Sequence, residues 1–298
     1  MTHQNRDRFP IVILVIVLIA IFLTVFGFAI FSRVLHREAI IGDDSIHYGV
    51  YPSIISELAA WAGTKPYVDL EDLMKKIIAE HYGTRHTDVI EQALRLWSDA
   101  YNYAIPTDVD QYGALRTGPA YPFYTEAPAD YEAAVAPQDK FAMAHLSSKG
   151  MFNAYQEEKI ENLPKLEAEY TSQKRMCQMI LEGCMLLDGI PDPNEELERL
   201  TNMGHFLYHT MTSGLNHKRL VILRTQRDAQ TDAGKREEYK KAFRSLLKLE
   251  RENAMAAIPY SQRDSVLGFE PSLEYIADPA RIQWKLQQID RELEKLTD

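Results

Sequence analysis

Apolar residues run unbroken from Pro10 to Phe31, PIVILVIVLIAIFLTVFGFAIF, with no charge and one hydroxyl, Thr24. At about 1.5 Å of rise per residue, such a tract spans roughly 30 Å, the thickness of a bilayer's hydrocarbon core. Lipid leaves backbone polar groups no partner but one another, so the tract is expected to be a helix. It is longer than the roughly 7–15 apolar residues of a signal peptide, and Phe28-Ala29-Ile30-Phe31-Ser32 makes a poor cleavage site. The pattern therefore predicts a tail over 1–9, a single transmembrane helix over 10–32 and a polar connector over 33–49.

Beyond the connector the pattern becomes amphipathic. SIISELAAWA (53–62) has helical spacing after Pro52, and Asp69 is placed to cap DLEDLMKKIIAEHY before Gly83 stops it. Thr87 opens TDVIEQALRLWSDAYNYA, whose Val89, Ala93, Leu96, Trp97, Ala100 and Tyr101 share one stripe, with Pro106 as its end. Three long helices are expected later. One covers about 155–188 with a kink or break at Pro164, one runs from Asn194 into the 220s, and one covers 235–257. A turn-rich stretch, IPYSQRDSVLGFEPSLEY, precedes a final helix over 279–296. No alternating strand pattern or repeat intervenes, so residues 50–298 read as one all-α helical bundle.

Residues 106–143 break this rhythm. They hold five prolines, two glycines and many tyrosines without a period, the mark of a long ordered loop insertion. Within it, Asp110, Gln111, Tyr112, Arg116, Tyr121, Phe123 and Tyr124 place aromatic faces beside carboxylate, carboxamide and guanidinium groups. That mixture suits a sugar, which offers C–H faces ringed by hydroxyls. The same residues would also serve to pack the loop against helices, and packing is the commoner use.

Charge narrows the partners. Residues 1–37 contain four Arg and one Asp, a balance of +3, which leaves −13 for the rest out of −10 overall. An acidic domain argues against nucleic acid and anionic lipid surfaces as partners. Arg6 and Arg8 before the apolar tract match Arg33 and Arg37 after it, so flanking charge does not orient it. A short tail before one helix favours export of the remainder, at the surface of a cell membrane.

Other candidate chemistry is sparse. Cys177 and Cys184 are seven residues apart, on one helical face but about 10 Å apart along the axis, too far for a disulfide. They are expected to be buried thiols. His205 and His209, with His217 two turns on, have metal-ligand spacing, but Phe206 stands where a metalloprotease carries its glutamate. Packed or surface histidines are the expectation, with no metal and no cofactor. Glu250, Glu252, Asp264, Glu270 and Glu274 supply carboxylates of the kind used in glycoside hydrolysis, at a spacing that favours surface charge and capping.

Several long stretches resemble one family. HYGVYPSIISELAAWA (47–62), LRLWSDAYNYAIPTDVDQYGALRTGPAYPF (94–123), NEELERLTNMGHFLYHTMTSGLNHKRL (194–220) and ERENAMAAIPYSQRDSVLGFEPSLEYIADPARIQWKL (250–286) carry the likeness. They are similar to the C-terminal helical region of large bacterial glycoside-hydrolase-like proteins of the α-glucuronidase and hexosaminidase type. The resemblance implies that catalytic acids reside in a (β/α)₈ barrel ahead of this region. Such a barrel needs on the order of 200–250 residues, and residues 1–46 offer no room for one. The expectation is a membrane-anchored, non-catalytic module that binds carbohydrate or a partner protein. An accessory part of a glycosidase completed by a separate barrel, and a structural or sensory bundle, are the alternatives.

Overall fold

Capping chemistry sets where the helices begin. In the computed structural model the described residues are Ile54, Glu57, Leu58, Ala60, Trp61, 69–104, 118–126, 163–270, 274–275 and 277–296. The carboxylate of Asp69 accepts from the backbone N–H groups of Glu71 (2.9 Å) and Asp72 (3.3 Å), opening α1 (Leu70–Tyr82). Gly83, at φ +88°, ends it in a conformation that side-chain-bearing residues resist. A 3₁₀ turn, Thr84–His86, leads into α2 (Thr87–Ala100). The main chain tightens into 3₁₀ over Tyr101–Tyr103, so α2 stops well before Pro106.

Next come α3 (Leu163–Asp188) and α4 (Glu195–Asp228). Pro164 lies in the first described turn of α3, and residues 155–162 of the expected helix lie outside the described residues. Asn194 caps α4 by accepting from Leu197 N–H at 2.9 Å, while its own amide donates to the carbonyl of His81 at 2.9 Å. That single side chain starts one helix and ties it to the end of α1. In the connection between α3 and α4, Asp192 adopts φ +51°, a left-handed conformation that aspartate tolerates better than most residues.

Asp232 caps α5 (Ala233–Arg263), which passes through Pro259 and six residues beyond the expected end at 257. A proline there removes one i→i−4 bond, to the carbonyl of Met255. Next to it, Tyr260 is held by Asn202 and His205 of α4. A short 3₁₀ turn, Ser265–Gly268, and a two-residue antiparallel ribbon, β1 (Phe269–Glu270) with β2 (Glu274–Tyr275), replace the irregular stretch. Asp278 then caps α6 (Pro279–Lys295), with Pro279 at its start.

Side-chain pairings show that neighbouring helices run antiparallel. Between α3 and α4, Asp188 meets His205, Gln173 meets Met211 and Glu167 meets Gln226, so one number falls as the other rises. The same holds for α4 and α5 through Asn202–Tyr260, His209–Asn253 and Ser213–Glu250. It holds again for α5 and α6 through Arg244–Leu296 and Glu250–Lys285. The all-α bundle read from the sequence is thus observed, with α4 between α3 and α5.

The core centres on Trp97 of α2, which is completely buried and donates its indole N–H to the carbonyl of Ile180 at 3.0 Å. Gly183 of α3 and Gly204 of α4 face it. A Cβ on Gly204 would lie 2.2 Å from the indole, and one on Gly183 would lie 2.4 Å from it. These two glycines are where a bulky ring enters between helices. On α2 the deepest residues are Ile90, Ala93, Leu94, Trp97 and Ala100; Val89, Leu96 and Tyr101 only flank the core. The buried stripe is therefore turned slightly from the expected one.

The apolar tract over 10–32 lies outside the described residues. Among the described residues, no helix is long and apolar enough to cross a membrane.

Candidate functional site

Polar side chains concentrate in two places, a buried seam and an open cleft. The seam runs between α4, α5 and α6. Glu250, on α5, is fully buried and its carboxylate pairs with the buried ammonium of Lys285 on α6. It also accepts from Ser213 (2.7 Å) and from the amide of Asn216 (2.6 Å). One turn along α5, Asn253 donates to the carbonyl of His209 (3.0 Å) and to the hydroxyl oxygen of Ser213 (3.0 Å). Its oxygen lies 2.8 Å from His209 Nδ1, which makes Nδ1 the protonated nitrogen of that ring.

Burial holds the imidazole of His209 neutral, its proton affinity pushed below the ordinary value against the opposing pull of the Asn253 bond. His217 is pushed further down, first by complete burial and then by the nearby cations of Lys285 and Arg224. The rings of Tyr121 and Phe123 meet His217 edge-on, at 4.5 and 4.7 Å between centroids. Among the described residues no His, Cys, Asp and Glu cluster has metal-binding geometry. His209 bonds Asn253, His217 packs between the rings of Tyr121 and Phe123, and His205 pairs with Asp188.

The seam also holds part of the aromatic insertion. Gln288 of α6 clamps Phe123 through both its backbone groups, accepting from N–H at 2.8 Å and donating to the carbonyl at 3.0 Å. Glu292 accepts from the N–H (2.9 Å) and hydroxyl (2.6 Å) of Thr125. Tyr121 and Phe123 are interior side chains, 1% and 0% exposed, and Phe123 shares an apolar cluster with Leu220, Phe243 and Ile289. Tyr124 is half-buried, and burial raises its hydroxyl to about 12. Of the seven sugar-site candidates, Tyr121, Phe123 and Tyr124 are therefore packed against helices. Asp110, Gln111, Tyr112 and Arg116 lie outside the described residues.

The five carboxylates expected at the surface divide. Glu250 is interior, contrary to that expectation, because Lys285 and two neutral donors compensate its charge. Asp264 accepts from Val266 N–H at 3.1 Å and meets Arg199 at 3.5 Å, a capping and pairing role. Glu252 is exposed, and Glu270 and Glu274 are register partners in the ribbon. Cys177 and Cys184 are free and buried, and burial raises each thiol to about 12.

The cleft, about 840 Å³, opens where the end of α3, the start of α4 and the end of α5 meet. That volume is within the range of small-ligand sites. His205 stands in it. Its Nε2 sits 3.0 and 3.1 Å from the two oxygens of Asp188, and its ring stacks on Tyr260 with centroids 5.1 Å apart and planes 8° from parallel. Asp188 is the last residue of α3, where a negative charge opposes the helix dipole. The bond from His205 offsets that cost. Beside them, Asn202 is 94% buried by its 6% exposure and donates to the carbonyl of Tyr260 at 3.1 Å. Its amide oxygen has no hydrogen-bond partner. The sequence singled out His205 and Asp264 but not this cleft, because its residues come from three helices and their connections up to 78 positions apart, Leu187 to Ser265.

No protein-family model matches this chain, and neither curated proteins nor solved structures yield a match.

Proposed function

We propose that the chain is a non-catalytic binding module, displayed by an N-terminal membrane anchor, whose cleft between α3, α4 and α5 takes a carbohydrate. The observation that carries this reading is the His205–Tyr260 stack set among Asp188, Arg199 and Asn202 in a cleft of about 840 Å³. An aromatic pair ringed by polar groups matches a sugar's C–H faces and hydroxyls. The charge-free stretch from Pro10 to Phe31 supports the anchor. The likeness of residues 47–62, 94–123, 194–220 and 250–286 to the helical region of glycoside-hydrolase-like proteins supports carbohydrate as the ligand class.

The non-catalytic part of the reading is supported by two of the carboxylates that the sequence offered for hydrolysis, Glu250 and Asp264, being engaged elsewhere, while Asp188, Glu195 and Glu198 remain at the cleft. Hydrolysis of a glycoside needs an acid and a base or nucleophile about 5–10 Å apart across the scissile bond. Glu250 is sealed inside with Lys285, and Asp264 is engaged by Arg199 and by the backbone of Val266. Calorimetric titration of the full chain in mild detergent against a panel of oligosaccharides tests the reading. Saturable binding that an Arg199→Ala and Tyr260→Ala pair weakens is the expected result. Heatless titrations throughout, or turnover of aryl glycosides by the purified chain, would overturn it.

A further inference from the structure

Resting on the reading of this cleft as a ligand site, we propose that its ligand carries a primary ammonium group. The argument is a donor–acceptor balance. Asp188, Glu195, Glu198 and Asp264 bring four carboxylates to the cleft. Against them stand two guanidinium groups, Arg199, already directed at Asp264 at 3.5 Å, and Arg263. His205 is shared between both oxygens of Asp188, and among the described residues neither Glu195 nor Glu198, both exposed in the first turn of α4, pairs with a cation. Acceptor capacity and negative charge are therefore in surplus.

Asn202 supplies an independent observation. Its amide nitrogen is used by the carbonyl of Tyr260, which fixes the amide so that its oxygen is the spare group. A buried carbonyl-type oxygen without a donor has lost its water and gained nothing in return, and this one belongs to a residue lining the cleft. A small movement of the amide on binding would let a ligand N–H or O–H satisfy it. An anionic ligand would meet repulsion here, and a neutral one would leave the carboxylates uncompensated. An ammonium flanked by further donors answers both needs. Amino sugars and linear polyamines share that chemistry.

The experiment is calorimetry on the full chain in mild detergent with three probes: a glucosamine oligomer, the glucose oligomer of equal length, and spermidine. Glucosamine oligomer binding at least about fivefold tighter than glucose oligomer, weakened by added salt, is expected from one or two exposed charge contacts. Binding of spermidine as well would assign the site to amines in general, and its absence would assign it to amino sugars. Glu195→Gln with Glu198→Gln, both at the surface, should remove most of the preference. Asn202→Ala should weaken the amine probes, and the surface pair keeps the test valid should that variant unfold. Equal affinity for the glucosamine and glucose oligomers would sink the ammonium proposal while leaving the cleft a sugar site. Silence with all three probes would end both.

Discussion

The ammonium of Lys285 on α6 and the carboxylate of Glu250 on α5 meet with neither side chain exposed to solvent, and Ser213 and Asn216 of α4 complete the carboxylate's shell. One ion pair thus joins three helices. Desolvation pulls the Lys285 proton affinity down while the Glu250 charge restores part of it, so the pair stands or falls together. Removing either partner strands the other in the interior. Lys285→Met or Glu250→Gln should each destabilise the domain by about 3–5 kcal/mol. The double variant should cost clearly less than the sum, measured as a coupling in urea denaturation midpoints.

The Trp97 pocket gives a steric test. Gly204→Ala puts a methyl group where the indole already sits, with Gly183→Ala a similar case. Each should cost about 1–3 kcal/mol from overpacking. Shrinking the ring by Trp97→Phe should recover part of the Gly204→Ala loss, read as a rise in Tm of the double variant over the single. No recovery would place the clash elsewhere.

Acid should weaken the fold through its histidines. His209 and His217 have proton affinities below the ordinary value of 6.5, so the unfolded chain binds the extra protons first. Their contribution to stability is present above about pH 6.5 and is lost as pH falls from there toward the folded-state values. Each such histidine contributes up to about 1.4 kcal/mol per pH unit within that window. Around His217 stand Lys285 and Arg224, and around His209 stand Asn253, His205 and Glu250. Urea midpoints at pH 7 and pH 5 should differ, and His209→Gln should reduce the difference.

The two thiols should be inert in the native state. With Cys177 and Cys184 raised to about 12 by burial, almost no thiolate exists at pH 8. A disulfide-exchange reagent should label neither residue in buffer and both in concentrated urea. Fast labelling of the native chain would contradict their burial.

Local signals were legible without any structure. Asp69 caps its helix, Gly83 ends it, and the starts expected at Asn194 and 279 hold, because a helix terminus needs only the nearest few backbone groups. The spacing of Cys177 and Cys184 likewise decided that they remain thiols, since helical rise alone separates them. Three things needed the tertiary arrangement. Pro259 lies inside α5, where Asn202 and His205 of α4 hold the adjoining Tyr260. Glu250 went inside only because Lys285, 35 positions later, arrives to neutralise it. Tyr121 and Phe123 became core rather than sugar-facing because Gln288 and Glu292 of α6 capture their backbone neighbourhood. The cleft belongs to the same class: caps and periodicity are written within a few residues, whereas charge compensation and cavities depend on which distant helices come to lie side by side.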